Sequence, residues 1–537
     1  MSNTAAPGDY VHDAIRNPVL PGFHPDPSLL RVGDDFYLAT STFEWYPGVS
    51  LHHSRDLVHW QSLGGILTER RLVDLGGTPD SDGVWAPSLS WAHGLFHLVF
   101  SRVDNHRGGW WDVQNYVTTA SAPDGPWSDP VPVHGRCFDP SLFHDEDGTC
   151  WMLSPAGDWR PGRYPFAGIQ AQPWDCAAGR LVGRPEVIFH GTEVGVTEGP
   201  NLYRRDGWYY LVTAEGGTSF DHQVTVARSR NVLGPYEIDP GGPLLTSRGR
   251  PELALQKAGH GSLVQAGTGE WYLAHLAARP LSPLGACTLG RETALQRVEW
   301  TAEGWPRVEG GVPAETVPSP GLPAHPFTPA PERDDFDQEV LAPHWSTLRR
   351  PASPDWADLT ARPSHLRLSG GQSPRGLRAP SLVGRRADSR DCSLETRVEF
   401  RPETIRQLAG ITAYYDTGNW HFAHLTRADD GNTVLSLLSC DRGVRIVHDD
   451  WAVALPTGAV VDLRVRMTGA EVRFGYRTDG TDWADLGRAL DATILSDEHA
   501  GEPDNPAFTG TFLGLWVQDI GAEGIHADFE HAVYRRH

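Results

Sequence analysis

A five-fold internal repeat constrains this chain more than any other feature. Five segments share a small polar start, a hydrophobic strand, a turn with Gly or Asp, and an aromatic strand. They run from Asp26 (DPSLLRVGDDFYLAT), Ala86 (APSLSWAHGLFHLVF), Asp139 (DPSLFHDEDGTCWML), Gly199 (GPNLYRRDGWYYLV) and His260 (HGSLVQAGTGEWYLAH). Aligned on Ser28, Ser88, Ser141, Asn201 and Ser262, the steps are 60, 53, 60 and 61 residues. Fixed periods of this length mark repeat architectures, and four strands per repeat closing a ring make a propeller. Five repeats predict five blades.

The rest of the chain also reads as strands. The 58 Gly and 43 Pro punctuate short β-branched and aromatic runs, and only Pro251–Gln256 has the pattern of a helical turn. A Pro-rich stretch over 311–333 separates residues 1–310 from a second block, 334–537. That block contains alternating runs such as CSLETRVEF, VVDLRVRM and GTFLGLWVQD. Period-two alternation predicts a two-sheet sandwich of jelly-roll, concanavalin-like type. The expected class is all-β: a five-bladed β-propeller followed by a β-sandwich.

Ring symmetry also predicts where chemistry sits, because equivalent positions in a ring converge on its axis. The start of each inner strand holds Asp26, Ala86, Asp139, Glu198 (one residue upstream of its repeat) or His260. A single Asp before Pro-Ser ordinarily accepts from turn amides. Three acids at one repeat position point instead to a cluster at the channel mouth. Phe43, Trp45 and Trp85 in or beside nearby loops, and Trp110 and Trp111 in RGGWWD, suggest stacking on a sugar face. Arg291 in LGRETAL is a candidate for gripping hydroxyls.

Other chemistries lack their signatures. The chain has no Gly-x-Ser-x-Gly elbow, no P-loop and no His-Glu-x-x-His. With 46 Lys+Arg against 68 Asp+Glu, the net charge of −22 disfavours a nucleic-acid partner. No apolar run is long enough for a membrane helix. The stretch MSNTAAPGDYVHDAIRNP lacks the basic start and apolar run of a secretory signal, so a cytoplasmic location is expected. Six widely spaced cysteines with no Cys-x-x-Cys predict neither a zinc knuckle nor a disulfide framework.

On the stretches NPVLPGFHPDPSLLRVGDDFYLATSTFEWYPGVSLHHSRDLVHW, GVWAPSLS, FDPSLFHDEDG, TEGPNLY, QKAGHGSLV and LGRETALQRVEW, the chain resembles glycoside hydrolase family 43, specifically its two-domain β-xylosidases. The resemblance implies Asp26 as general base, Glu198 as general acid, and Asp139 as the carboxylate that modulates the acid. It places Phe43, Trp85, Phe138, Thr218, His260 and Arg291 around the terminal sugar. Through AFTGTF it makes Phe508 a ring contributed by the second domain. It implies inversion, with base and acid roughly 6.5–9.5 Å apart. The activity expected is exo-release of D-xylose from xylobiose and short β-1,4-xylo-oligosaccharides. α-L-Arabinofuranosidase is the alternative, and a non-catalytic sugar-binding propeller the remote one. No cofactor is required, although some related propellers hold calcium near the histidine matching His260. A homo-oligomer is expected, with the short Leu276–Leu289 segment assigned to the pocket rim or to a subunit contact. Ala156-Gly157-Asp158 stands where similar enzymes carry an aromatic wall for the leaving group.

Overall fold

The computed structural model describes residues 14–537, so the leader sought in the sequence lies, up to residue 13, outside the described residues. Five antiparallel sheets follow one another around a ring. Their inner strands are Ser28–Val32, Ser88–Ala92, Ser141–His144, Glu198–Arg205 and Gln256–Gln265. Each inner strand pairs with the next strand in sequence, as Ser28–Val32 does with Asp35–Thr40. The helical turn expected at Pro251–Gln256 is instead a hydrogen-bonded turn, with the Leu253 amide donating to the Arg250 carbonyl at 3.1 Å. Gln256 already begins a strand.

The repeated serine holds neighbouring blades together. The Leu89 amide of blade 2 donates to Ser28 Oγ at 2.9 Å. The Leu29 amide of blade 1 donates to Ser262 Oγ of blade 5 at 3.0 Å, closing the ring. Ser141 Oγ of blade 3 donates to the Pro200 carbonyl of blade 4 at 2.6 Å. Each bond satisfies a buried backbone group that no strand ladder reaches. A second seam is made by the segment before blade 1. Asn17 brackets Leu295 with bonds of 2.7 and 2.8 Å, and the His24 amide donates to the Arg291 carbonyl at 2.9 Å.

The Pro-rich stretch lies against the propeller. Tyr272 Oη donates to the Pro318 carbonyl, and the His325 amide to Asp56 Oδ2. Beyond it, two nine-stranded sheets face each other across a core containing Leu394, Val465, Phe474, Leu515 and Phe529. One of these sheets ends on a strand that belongs to the propeller. Trp45–Tyr46 pairs with Ser346–Leu348, and the Trp45 ring stacks on Phe512 at 3.7 Å and 13°. Trp45 is therefore interdomain core and not a sugar platform: its polar-flanked loop position gave no sign of the strand it would join.

The domain interface also buries charge. Arg349, wholly enclosed, pairs with Asp80 at 2.6 Å and donates through Nε to the Thr78 carbonyl at 2.6 Å. Glu44 lies beside it with Oε1 unpartnered. Burial pushes its carboxyl up to about 8, against the opposing charge of Arg349. Folded Glu44 thus stays protonated between about pH 4.5 and 8, whereas the unfolded group ionises. Stability falls across that window as pH rises. Glu44→Gln is expected to raise Tm at pH 8, with the gain shrinking towards pH 5; parallel Tm profiles of the two proteins would refute this.

Candidate active site

Four inner strands begin with the same backbone kink. Two residues before the aligned Ser or Asn, Asp26, Asp139, Gly199 and His260 all take left-handed conformations, with φ of 56°, 49°, 56° and 49°. The kink turns each side chain into the channel mouth. It also explains why the acid of blade 4 is displaced by one residue. A Cβ at Gly199 would sit 2.9 Å from the His260 ring, so the imidazole takes that space and the carboxylate is delivered from Glu198.

Asp26, Asp139 and Glu198 line one cavity of about 730 Å³. Phe43, Trp85, Phe138, Thr218, His260, Arg291 and Phe508 line the same cavity. Its aromatic wall is continuous. Trp85 lies 5.0 Å from Phe138 and 5.5 Å from Phe508, and Trp111 lies 5.3 Å from Phe138 and 4.9 Å from Phe166. Next to Ala156-Gly157-Asp158, Trp159 lies outside the cavity lining and packs behind Trp111, which lines it. Its indole donates to the Gly109 carbonyl at 2.8 Å, and its ring lies 5.7 Å from Trp111. The ring passes within 3.2 Å of where a Gly157 Cβ would stand, so the bare glycine makes room for it. Trp110 is exposed and stacks on the outer side of Trp159. The Leu276–Leu289 segment contributes nothing to the rim; its Pro280 carbonyl accepts from Arg390 of the sandwich at 2.9 Å.

The carboxylates differ in their partners. Asp26 accepts from Arg291 Nη1 at 3.0 Å and from Ser41 Oγ at 2.6 Å, with His260 Nδ1 at 3.9 Å. Burial alone would raise its carboxyl. The charges of Arg291 and His260 and the Ser41 bond outweigh burial and hold it below the usual range. Glu198 has no such cation of its own. Burial, then the charge of Asp139, then that of Asp26, push it well above the usual range. Asp139 is also raised, by burial and Asp26, so the pair retains a proton. The Gly199 amide, donating to Asp139 Oδ2 at 3.2 Å, favours the charged form of Asp139.

The second domain completes the cavity. Arg291 Nη2 donates to the Phe508 carbonyl at 3.0 Å, and the Phe508 amide donates to Ser81 Oγ at 3.0 Å. The Gly108 amide reaches the Asp504 carbonyl at 2.8 Å, and His106 bridges Asp82 (2.5 Å) and the Pro506 carbonyl (3.1 Å). Lys257 of blade 5 is buried against Glu498 at 2.5 Å and Asp497 at 3.2 Å. Sequence reasoning missed His106, Phe166, Lys257, Asp497 and Glu498. Lys257 stands in the QKAGHGSLV stretch but was given no role there, and the other four lie outside any stretch read as a motif.

Comparison with known proteins agrees with this picture. Residues 15–306 match the model of glycosyl hydrolases family 43, and residues 333–535 match that of the beta xylosidase C-terminal concanavalin A-like domain. The chain is 43% identical to a xylan 1,3-beta-xylosidase of a Vibrio species, covering 97% of this chain and 99% of that one. It is 41% identical to xylosidase/arabinosidase 43B of Humicola insolens, covering 97% of each. The crystal structure of a xylan beta-1,4-xylosidase from Bacillus halodurans superposes with a TM-score of 0.95 at 46% identity, over 97% of this chain and 100% of that one. No helix among the described residues is long and apolar enough to cross a membrane.

Proposed function

Because this chain belongs to glycosyl hydrolases family 43, we propose that its pocket removes terminal D-xylose from β-linked xylobiose and short xylo-oligosaccharides by inverting hydrolysis. One observation carries the reading: in a single cavity, one carboxyl is held ionised by a guanidinium while another, pushed up by burial and by two neighbouring acids, is held protonated. Environments that push two carboxyls apart assign a base and an acid. Asp26 takes the proton from the attacking water. Glu198 gives its proton to the departing glycosidic oxygen. Asp139 sustains the acid's proton through its charge, and Arg291 fixes Asp26 from the seam between blades 5 and 1. Phe43, Trp85, Phe138 and Phe508 offer apolar faces to one sugar ring. Walls on this side, with Phe508 closing from the sandwich, support attack on a chain end over attack within a chain.

The linkage is 1,4 in the name of one relative and 1,3 in that of another, and the Humicola relative's name includes arabinosidase. The β-1,4 bond is our reading. Anomer-resolved NMR of fresh hydrolysates of β-1,4- and β-1,3-linked xylobiose tests it, with 4-nitrophenyl α-L-arabinofuranoside run in parallel. The expected first product is α-xylose, formed faster from the 1,4-linked disaccharide. β-Xylose as first product would overturn inversion, and faster arabinofuranoside turnover would overturn the substrate.

A further inference from the structure

The far end of blade 3 carries a second group of reactive side chains. Its inner strand starts just after Asp139 at the catalytic mouth and ends at His144, which lines a separate cavity at the opposite mouth of the channel. There His144, Cys150 and Cys176 come together, their ligand atoms all within 4.8 Å of one another. His144 and Cys150 are cross-strand partners at the end of the first hairpin, and Cys176 sits in the turn that ends the third strand. The widely spaced cysteines gave no sign of this in the sequence, because strand pairing brings 144 and 150 together and the blade's third strand adds 176.

The geometry is that of a ligand set. His144 Nδ1 stands 3.4 Å from Cys150 Sγ. Zinc–sulfur and zinc–nitrogen bonds of about 2.3 and 2.0–2.1 Å set at a tetrahedral angle would separate the two atoms by about 3.5 Å. The other ring nitrogen, Nε2, is 3.1 Å from Ser90 Oγ of blade 2. Donation from Nε2–H to that hydroxyl fixes the tautomer and aims the Nδ1 lone pair at the sulfurs, the outer support that metal-ligating histidines usually have. The His97 ring packs 4.9 Å from that of His144, and its buried Nε2 has no hydrogen-bond partner. Cys150 is buried and Cys176 exposed, so a cation has a way in.

We propose that His144, Cys150 and Cys176 bind one zinc ion, with water or His97 in the fourth position. Two thiolates and an imidazole select a soft or borderline d¹⁰ cation over magnesium or calcium. On binding, the Cys150 and Cys176 thiols each release a proton to solvent, two Zn–S bonds form, and no electrons move. The ion ties the first hairpin of blade 3 to the end of its third strand, remote from the acids.

Titration of the metal-free, reduced full-length protein with Co²⁺ tests this. The expected result is a sulfur-to-cobalt charge-transfer band that saturates at one equivalent and is abolished by Zn²⁺. A cation in the channel beside His260 would give no such band. Cys176→Ser, at an exposed turn, is expected to weaken binding by more than the roughly 10–100-fold that loss of an outer-shell partner costs, with xylosidase turnover unchanged. The proposal fails if no thiolate band appears, if Cys176→Ser binds Co²⁺ as tightly as the unaltered protein with an undiminished band, or if protein purified without added oxidant has a Cys150–Cys176 disulfide.

Discussion

Glu198→Gln is expected to lower kcat on unactivated xylobiose by about 10²–10⁴-fold, the usual contribution of a positioned proton donor. The loss should shrink on 4-nitrophenyl β-D-xyloside, whose leaving group departs without a proton. Glutamine keeps the shape of the side chain among Asp139, the Gly199 turn and the apolar walls, so a folding defect is not the expected cause. The pH profile separates the roles further. The acid must be protonated, so wild-type activity falls as pH rises through the raised carboxyl of Glu198. The base must be ionised, so activity falls at low pH through the depressed carboxyl of Asp26. Glu198→Gln should remove the alkaline limb and keep the acid one. Full activity on xylobiose with an unchanged profile would remove Glu198 from the mechanism.

Asp26→Asn is expected to lower turnover by about 10³–10⁴-fold, towards the upper end for a general base, on both activated and unactivated substrates. Water activation is needed whatever the leaving group, so this insensitivity distinguishes the base from the acid. Xylose binding should persist, read by quenching of tryptophan fluorescence from Trp85 and Trp111, which line the cavity. The Asn side chain can keep its oxygen on Arg291 and turn its amide NH2 towards the Ser41 hydroxyl, but its neutral oxygen cannot take a proton from water. Retained turnover would place the base elsewhere, whereas loss of binding together with turnover would make Asp26 a structural anchor for Arg291.

The second domain is part of the catalytic unit in this geometry. The Phe508 ring stands 5.4 Å from the Arg291 guanidinium that grips Asp26, and its carbonyl is a hydrogen-bond acceptor for that guanidinium. The exchange of Trp45–Tyr46 into the sandwich sheet and the burial of Arg349 against Asp80 fix the two domains in the register this requires.

What the sequence determined by itself was whatever repeats or alternates. The 53–61-residue period set the blade count, two-residue alternation announced the sandwich, and a shared repeat position gathered Asp26, Asp139 and His260. These were legible because symmetry converts a position in the chain into a position in space. Only the tertiary structure decided the rest. It turned Trp45 from a loop aromatic into a strand of the other domain and let Trp159 fill the space left bare by Gly157. It seated Arg291 on Asp26 across a 265-residue separation, brought His106 and Lys257 to the rim, and assembled His144 with two cysteines. It also divided the protonation states of the three acids, since a carboxyl's charge depends on burial and on the cation or amide beside it. Such pairings have no period. They arise when the ring closes and the second domain docks, events that bring together residues whose local sequence says nothing of one another.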